Sequence, residues 1–126
     1  MKSAFLNGEL PEDVYVDQAK GLVIPGNEKL VYKYRMALYG LRQAPRAWYS
    51  KVNQYFLELG FQHSECEPTL YKKKNESTGQ LFICLYMDDI IYIGSSTTMV
   101  NEFKKEMMPT FEMSDSGFCS TSWAWK

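Results

Sequence analysis

Residues Leu81–Gly94 read LFICLYMDDIIYIG. Two adjacent carboxylates, Asp88 and Asp89, interrupt what is otherwise one of the most apolar segments of the chain. Both arms are rich in β-branched and aromatic residues, which favour strands, and the aspartates fall where a tight hairpin turn belongs. Asp is common in exposed turns, so the pair can be an ordinary surface turn. The alternative is a metal site. Neighbouring carboxylates repel unless a cation neutralises them, and hard oxygen ligands suit Mg²⁺, which also binds substrate phosphates. Two such ions can clamp the attacking and leaving oxygens of phosphoryl transfer.

Around this hairpin the pattern predicts alternating strands and helices. Val14–Val16 and Leu30–Tyr34 read as short strands separated by a Pro25-Gly26-Asn27 turn. A helix opens near Pro45, favoured in a first turn, and carries Trp48, Val52, Phe56 and Leu59 on one face before Gly60 stops it. Thr69–Lys73 and Gln80–Met87 read as strands joined by the polar turn Asn75–Gly79, and Ile90–Gly94 as another. Ser95-Ser96 can cap a final helix with Met99, Val100, Phe103 and Met107 inward, and Pro109 is expected to end it. The expected fold is α+β, an antiparallel sheet with helices packed on one face.

The chain has 126 residues, 45% hydrophobic and 15% aromatic, enough for one small core. Its net charge of −1 gives no global case for nucleic-acid binding but leaves room for a local basic face. That face runs through Lys29, Lys33, Arg35, Arg42, Arg46 and Lys51 without an intervening acid, interleaved with Tyr32, Tyr34, Tyr39, Trp48 and Tyr49. Basic groups neutralise phosphates and aromatic faces stack on bases. On spacing alone Trp48 is a core residue, and Arg42 and Arg46 are the better candidates for contact with nucleic acid or triphosphate. The acids from Glu9 to Asp17 read as a solvated loop. The three cysteines, Cys66, Cys84 and Cys119, are widely spaced and odd in number, which suggests reduced thiols. With no signal peptide or apolar run of membrane-spanning length, an intracellular location, cytoplasmic or nuclear, is expected.

Tyr86-Met87-Asp88-Asp89 resembles the Tyr-x-Asp-Asp signature of reverse transcriptases. MKSAFLNG (1–8), ALYGLRQAPRAW (37–48), YFLELGF (55–61), LYMDDIIYIG (85–94) and FEMSD (111–115) stand in the order and spacing of the copia-type retrotransposon polymerase. The resemblance covers residues 1 to about 117 and implies the palm, with part of the fingers, of an RNA-directed DNA polymerase. It implies that Asp88 and Asp89 are catalytic metal ligands for Mg²⁺, or Mn²⁺, and that Tyr86 and Met87 line the primer side of the turn. Tyr39 and Gly40 would contact the nucleotide, and Gln43, Ala44 and Pro45 would shape the template side. Phe5, which between Ala4 and Leu6 reads on its own as a core residue, would by this resemblance be the aromatic gate against a ribose 2′-OH. The implied partners are an RNA or DNA template-primer and a dNTP. The integrase and RNase H regions of a Pol polyprotein are not among these residues.

Two departures accompany the resemblance. The family's first motif begins with an aspartate, the third carboxylate, which here would lie one residue before Met1. Metal binding is therefore expected to be weak and the chain inactive alone. After FEMSD the residues SGFCSTSWAWK depart from the family. One permissible coding of Gly117–Lys126, read two bases later, gives Phe-Leu-Gln-Tyr-Phe-Leu-Gly-Met-Glu, close to the family's next strand. The expected division is a partial reverse transcriptase over 1–117 and an aberrant, frame-shifted tail over 118–126.

Overall fold

The computed structural model describes residues 4–117; the expected tail at 118–126 lies outside the described residues. A 3-10 turn, Ala4–Asn7, leads to β1 (Tyr15–Asp17) and β2 (Val31–Lys33). Then follow α1 (Ala44–Glu58), β3 (Gln62–His63), β4 (Leu70–Asn75), β5 (Gly79–Tyr86), β6 (Asp89–Gly94) and α2 (Thr97–Phe111). β1 and β2 form a ribbon of their own, and the main sheet is antiparallel throughout, in the order β3-β4-β5-β6. The α+β reading therefore holds, with one element, the short β3, that sequence periodicity did not reveal.

One face of the main sheet carries the core. Side chains alternate along a strand, and Leu81, Ile83 and Leu85 of β5 are buried together with Tyr71 of β4. Both helices cover this face. Trp48, Val52 and Phe56 of α1 and Met99, Phe103, Met107 and Phe111 of α2 join the same cluster. Phe56 is its hub, with ring centroids 5.0 Å from Tyr71, 5.6 Å from Phe61 and 6.2 Å from Phe103.

Two details of α2 depart from the expectation. Ser96 occupies the N-cap position with extended φ and ψ, but its hydroxyl caps nothing. Ser95 Oγ instead accepts the Gln80 N–H at 2.8 Å, tying the helix start to β5. Nor does Pro109 end the helix, which runs on to Phe111. A proline inside a helix removes one backbone bond; here the residues beyond it are held by burial. Phe111 is 2% exposed and packs edge-on to Trp48 (5.4 Å) and Tyr55 (5.0 Å). The helix closes at Glu112, in the left-handed conformation at φ 52°, and the Glu112 and Met113 N–H groups both reach the Met108 carbonyl.

The FEMSD segment is anchored by its last residue. Asp115 pairs with Lys104 of α2 at 2.7 Å and accepts the Tyr92 hydroxyl of β6 at 3.0 Å. The Lys104 ammonium, then the Gly117 N–H and Tyr92 hydroxyl, hold its carboxyl down to about 2 from an ordinary 3.8. A carboxylate with a depressed folded pKa stabilises the fold above its unfolded value and loses that contribution as pH falls through the folded one. Stability of the parent chain should thus decline between pH 3.8 and about 2 more steeply than that of Asp115→Asn. Denaturant melts across that window check this, and parallel curves would contradict it.

A candidate active site at the Asp-Asp hairpin

The β5–β6 pairing closes at Tyr86↔Asp89, so the two-residue turn is Met87-Asp88 and Asp89 is the first residue of β6. The aspartates thus differ in setting. Asp88 is half-buried in the turn, whereas Asp89 is exposed and in register with the exposed Tyr86. Met87 sits at φ 53°. An L-residue with a side chain pays roughly 1–2 kcal/mol for that region, so this turn is held by its surroundings.

Among the described residues, the side chains of Tyr39 and Trp48 reach the hairpin from outside it. The Tyr39 hydroxyl donates to Asp88 Oδ2 at 3.2 Å, and the Trp48 indole Nε1–H donates to the Met87 carbonyl at 3.1 Å. Tyr39 lies on the loop before α1 and its ring rests on Phe5, centroids 4.5 Å apart. Burial, and then the Asp88 carboxylate, push the Tyr39 phenol above its ordinary pKa, so it stays a protonated donor at neutral pH. Phe5, Tyr39 and Asp88 therefore meet at one place, and Trp48 reaches the same turn at the Met87 carbonyl.

The other expected residues stand nearby without joining that contact. Gly40 has φ 91°, a conformation glycine supplies, and a Cβ there would meet nothing within 4 Å. The backbone turn there uses that conformation. Gln43 occupies the N-cap position of α1 with no side-chain cap bond. Arg42 and Arg46 are exposed, and neither makes an ion pair among the described residues. Tyr86 and Met87 are 64% and 70% exposed at the tip.

The basic stretch is less available than its sequence suggests. Lys33 pairs with Asp13 at 2.6 Å across β1–β2, and Lys51 with Glu9 at 3.1 Å. The Lys33 ammonium lowers the Asp13 pKa and is itself raised by the contact. The acidic loop is exposed, as expected, and two of its acids make surface ion pairs. Only a register across separate segments shows this.

The donor set suits a hard divalent cation in kind, two carboxylates side by side. Among the described residues no group of three or more His, Cys, Asp or Glu side chains could hold one. No described helix is long and apolar enough to cross a membrane. A shallow groove of about 450 Å³, lined by Lys74, Gln80, Phe82 and Ile93, lies at the far end of the hairpin from Asp88.

An antiparallel sheet backed by helices, with paired aspartates at a strand turn, is the form of a polymerase palm piece. The sequence model of the family described as reverse transcriptase (RNA-dependent DNA polymerase) matches residues 1–123, and the chain belongs to that family. It is 32% identical, over 93% of its length, to the retrovirus-related Pol polyprotein from transposon TNT 1-94 of Nicotiana tabacum. It is 34% identical, over 91%, to that from transposon RE1 of Arabidopsis thaliana. A putative transposon Ty5-1 protein of Saccharomyces cerevisiae is 33% identical over 91% of the chain and 37% of its own length. The chain spans only 9% and 8% of the two plant polyproteins. No solved structure matches.

Proposed function

We propose that these residues are the palm, with part of the fingers, of an RNA-directed DNA polymerase, and that the 126 residues by themselves are inactive. The reaction of the parent is template-directed transfer of a nucleotide to a primer 3′-hydroxyl. The observation that carries this reading is the Tyr86-Met87-Asp88-Asp89 turn on the β5–β6 hairpin, with Tyr39 bonded to Asp88. Asp88 and Asp89 would hold Mg²⁺ or Mn²⁺. When bound, such ions activate the attacking hydroxyl and stabilise charge on the phosphate and leaving group. Tyr39 orients the Asp88 carboxylate, and with Phe5 behind it forms an aromatic wall suited to excluding a ribose 2′-OH. Tyr86 and Met87 face the primer, and Gly40, Arg42, Gln43 and Arg46 the nucleotide and template. Among the described residues no third carboxylate joins Asp88 and Asp89 in a metal-holding group, and two carboxylates grip a metal pair weakly, which supports inactivity of these residues by themselves. Primer extension with Mg²⁺ or Mn²⁺ should stay at background; robust extension that disappears in Asp88→Ala would refute the inactivity. We assign residues 1–117 to this unit and 118–126 to a shifted frame; genomic sequence whose other frame lacks the Tyr-Phe-Leu-Gly strand would sink that assignment.

A second reading, a non-catalytic nucleic-acid-binding remnant, draws on the exposure of Arg42 and Arg46 without ion pairs among the described residues. It expects RNA or DNA binding that weakens with salt, survives Asp88→Ala and falls in Arg42→Ala. Lys33→Ala and Lys51→Ala should matter less, because Asp13 and Glu9 already hold those ammonium groups. Absence of binding at low salt in a filter or polarisation assay would remove this reading.

A further inference from the structure

We infer that Trp48 is a positioning residue for the Asp-Asp turn, acting through its indole N–H on the Met87 carbonyl; this rests on the reading of Asp88 and Asp89 as cation ligands. The sequence marks Trp48 as core, and it is 1% exposed on α1. A core role asks only for its ring. Its one polar atom is nevertheless committed to the hairpin tip, 39 residues away, at 3.1 Å. The carbonyl it holds belongs to the residue at φ 53°, directly before Asp88. A peptide group is planar, so fixing the Met87 carbonyl fixes the plane of the Met87–Asp88 peptide and the direction in which Asp88 leaves the turn. The ring packs edge-on to Phe111 at 5.4 Å, and Gly8 passes close over the α1 backbone at Ala47 and Trp48 that carries it. Tyr39 then sets the carboxylate from the other side. The indole and the phenol thus hold, respectively, the backbone and the side chain around one ligand.

The test compares three variants by Mn²⁺ binding, followed as loss of the free-ion EPR signal, with folding checked by circular dichroism. Trp48→Phe keeps an aromatic ring and loses the N–H. It should weaken Mn²⁺ binding by about tenfold, the low end of what removing a supporting partner of a metal ligand costs. Phe61→Leu damages the same core on the rings of Phe56 and Phe103, away from Trp48, and should lower stability while binding Mn²⁺ as the parent does. Asp88→Asn tests the underlying reading: if it binds Mn²⁺ as well as the parent, the cation site itself is elsewhere. If Asp88→Asn loses binding and Trp48→Phe does not, or if Phe61→Leu weakens it equally, the positioning role is overturned. Should Trp48→Phe fail to fold, the parent chain still decides. Its Trp48 indole proton should exchange slowly and broaden on adding Mn²⁺, and a proton that exchanges freely and ignores the ion would overturn the role.

Discussion

Phe56→Ala should cost about 3–5 kcal/mol, the range for emptying a buried aromatic site. Its side chain is fully buried and sits among the rings of Tyr55, Phe61, Tyr71 and Phe103. It joins α1 to the residue before β3, to the second residue of β4 and to α2. The lost contacts belong to separate segments, so no single rotamer change closes the cavity. A small domain holds only about 5–15 kcal/mol in all, so much of that margin would go. A urea melt should show a lower midpoint with an unchanged slope. A midpoint within error of the parent would mean that the aromatic cluster is not the centre of this fold.

Gly8→Ala is the second large effect, and it couples packing to the site. A Cβ on Gly8 would lie 2.8 Å from the Trp48 backbone nitrogen and 2.9 Å from the Ala47 carbonyl carbon. Backbone atoms in a helix cannot swing aside as a side-chain end can, so the 3-10 turn must lift from α1. Overpacking of this kind costs about 1–3 kcal/mol. The lift also draws Phe5 from Tyr39, whose rings now touch at 4.5 Å, and so disturbs the hydroxyl on Asp88. Thermal melts should show the loss of stability. The Tyr39 phenol should also titrate closer to its ordinary value, because its burial and its Asp88 contact both raise it at present. A Gly8→Ala chain that melts with the parent and keeps the raised phenol would contradict the close approach.

The hairpin was legible because two independent periodicities agreed there: alternation along β5, and a charged pair where a two-residue turn had to fall. Even so, the sequence put both aspartates in the turn, whereas the register makes Met87 and Asp88 the turn and Asp89 a strand residue. Hydrophobic alternation does not resolve a shift of one residue at a polar tip. Helix α1 was legible from its spacing and its proline. Helix α2 was misjudged at Pro109, because the tertiary contacts of Phe111 with Trp48 and Tyr55 outweigh the local rule. The strand β3 has two residues and no room for a period. The contacts that assemble the site join positions 39 with 88 and 48 with 87. No local signal carries such pairs: a tryptophan at a helical core position looks the same whether or not its N–H has a distant task. The ion pairs of Lys33 with Asp13 and Lys51 with Glu9 likewise join distant positions and leave no local signal.

We propose that Asp88 sits at the reacting centre of a polymerase palm. The most direct test is primer extension by an active copia-type reverse transcriptase whose matching segment is replaced by residues 4–117 of this chain, with and without Asp88→Ala. The exchanged enzyme should extend a primer on an RNA template. Its Asp88→Ala form should lose more than the roughly 10–100-fold that attends loss of a mere supporting partner of a metal ligand. Extension that survives Asp88→Ala undiminished, or a folded exchange that extends nothing, would contradict the account.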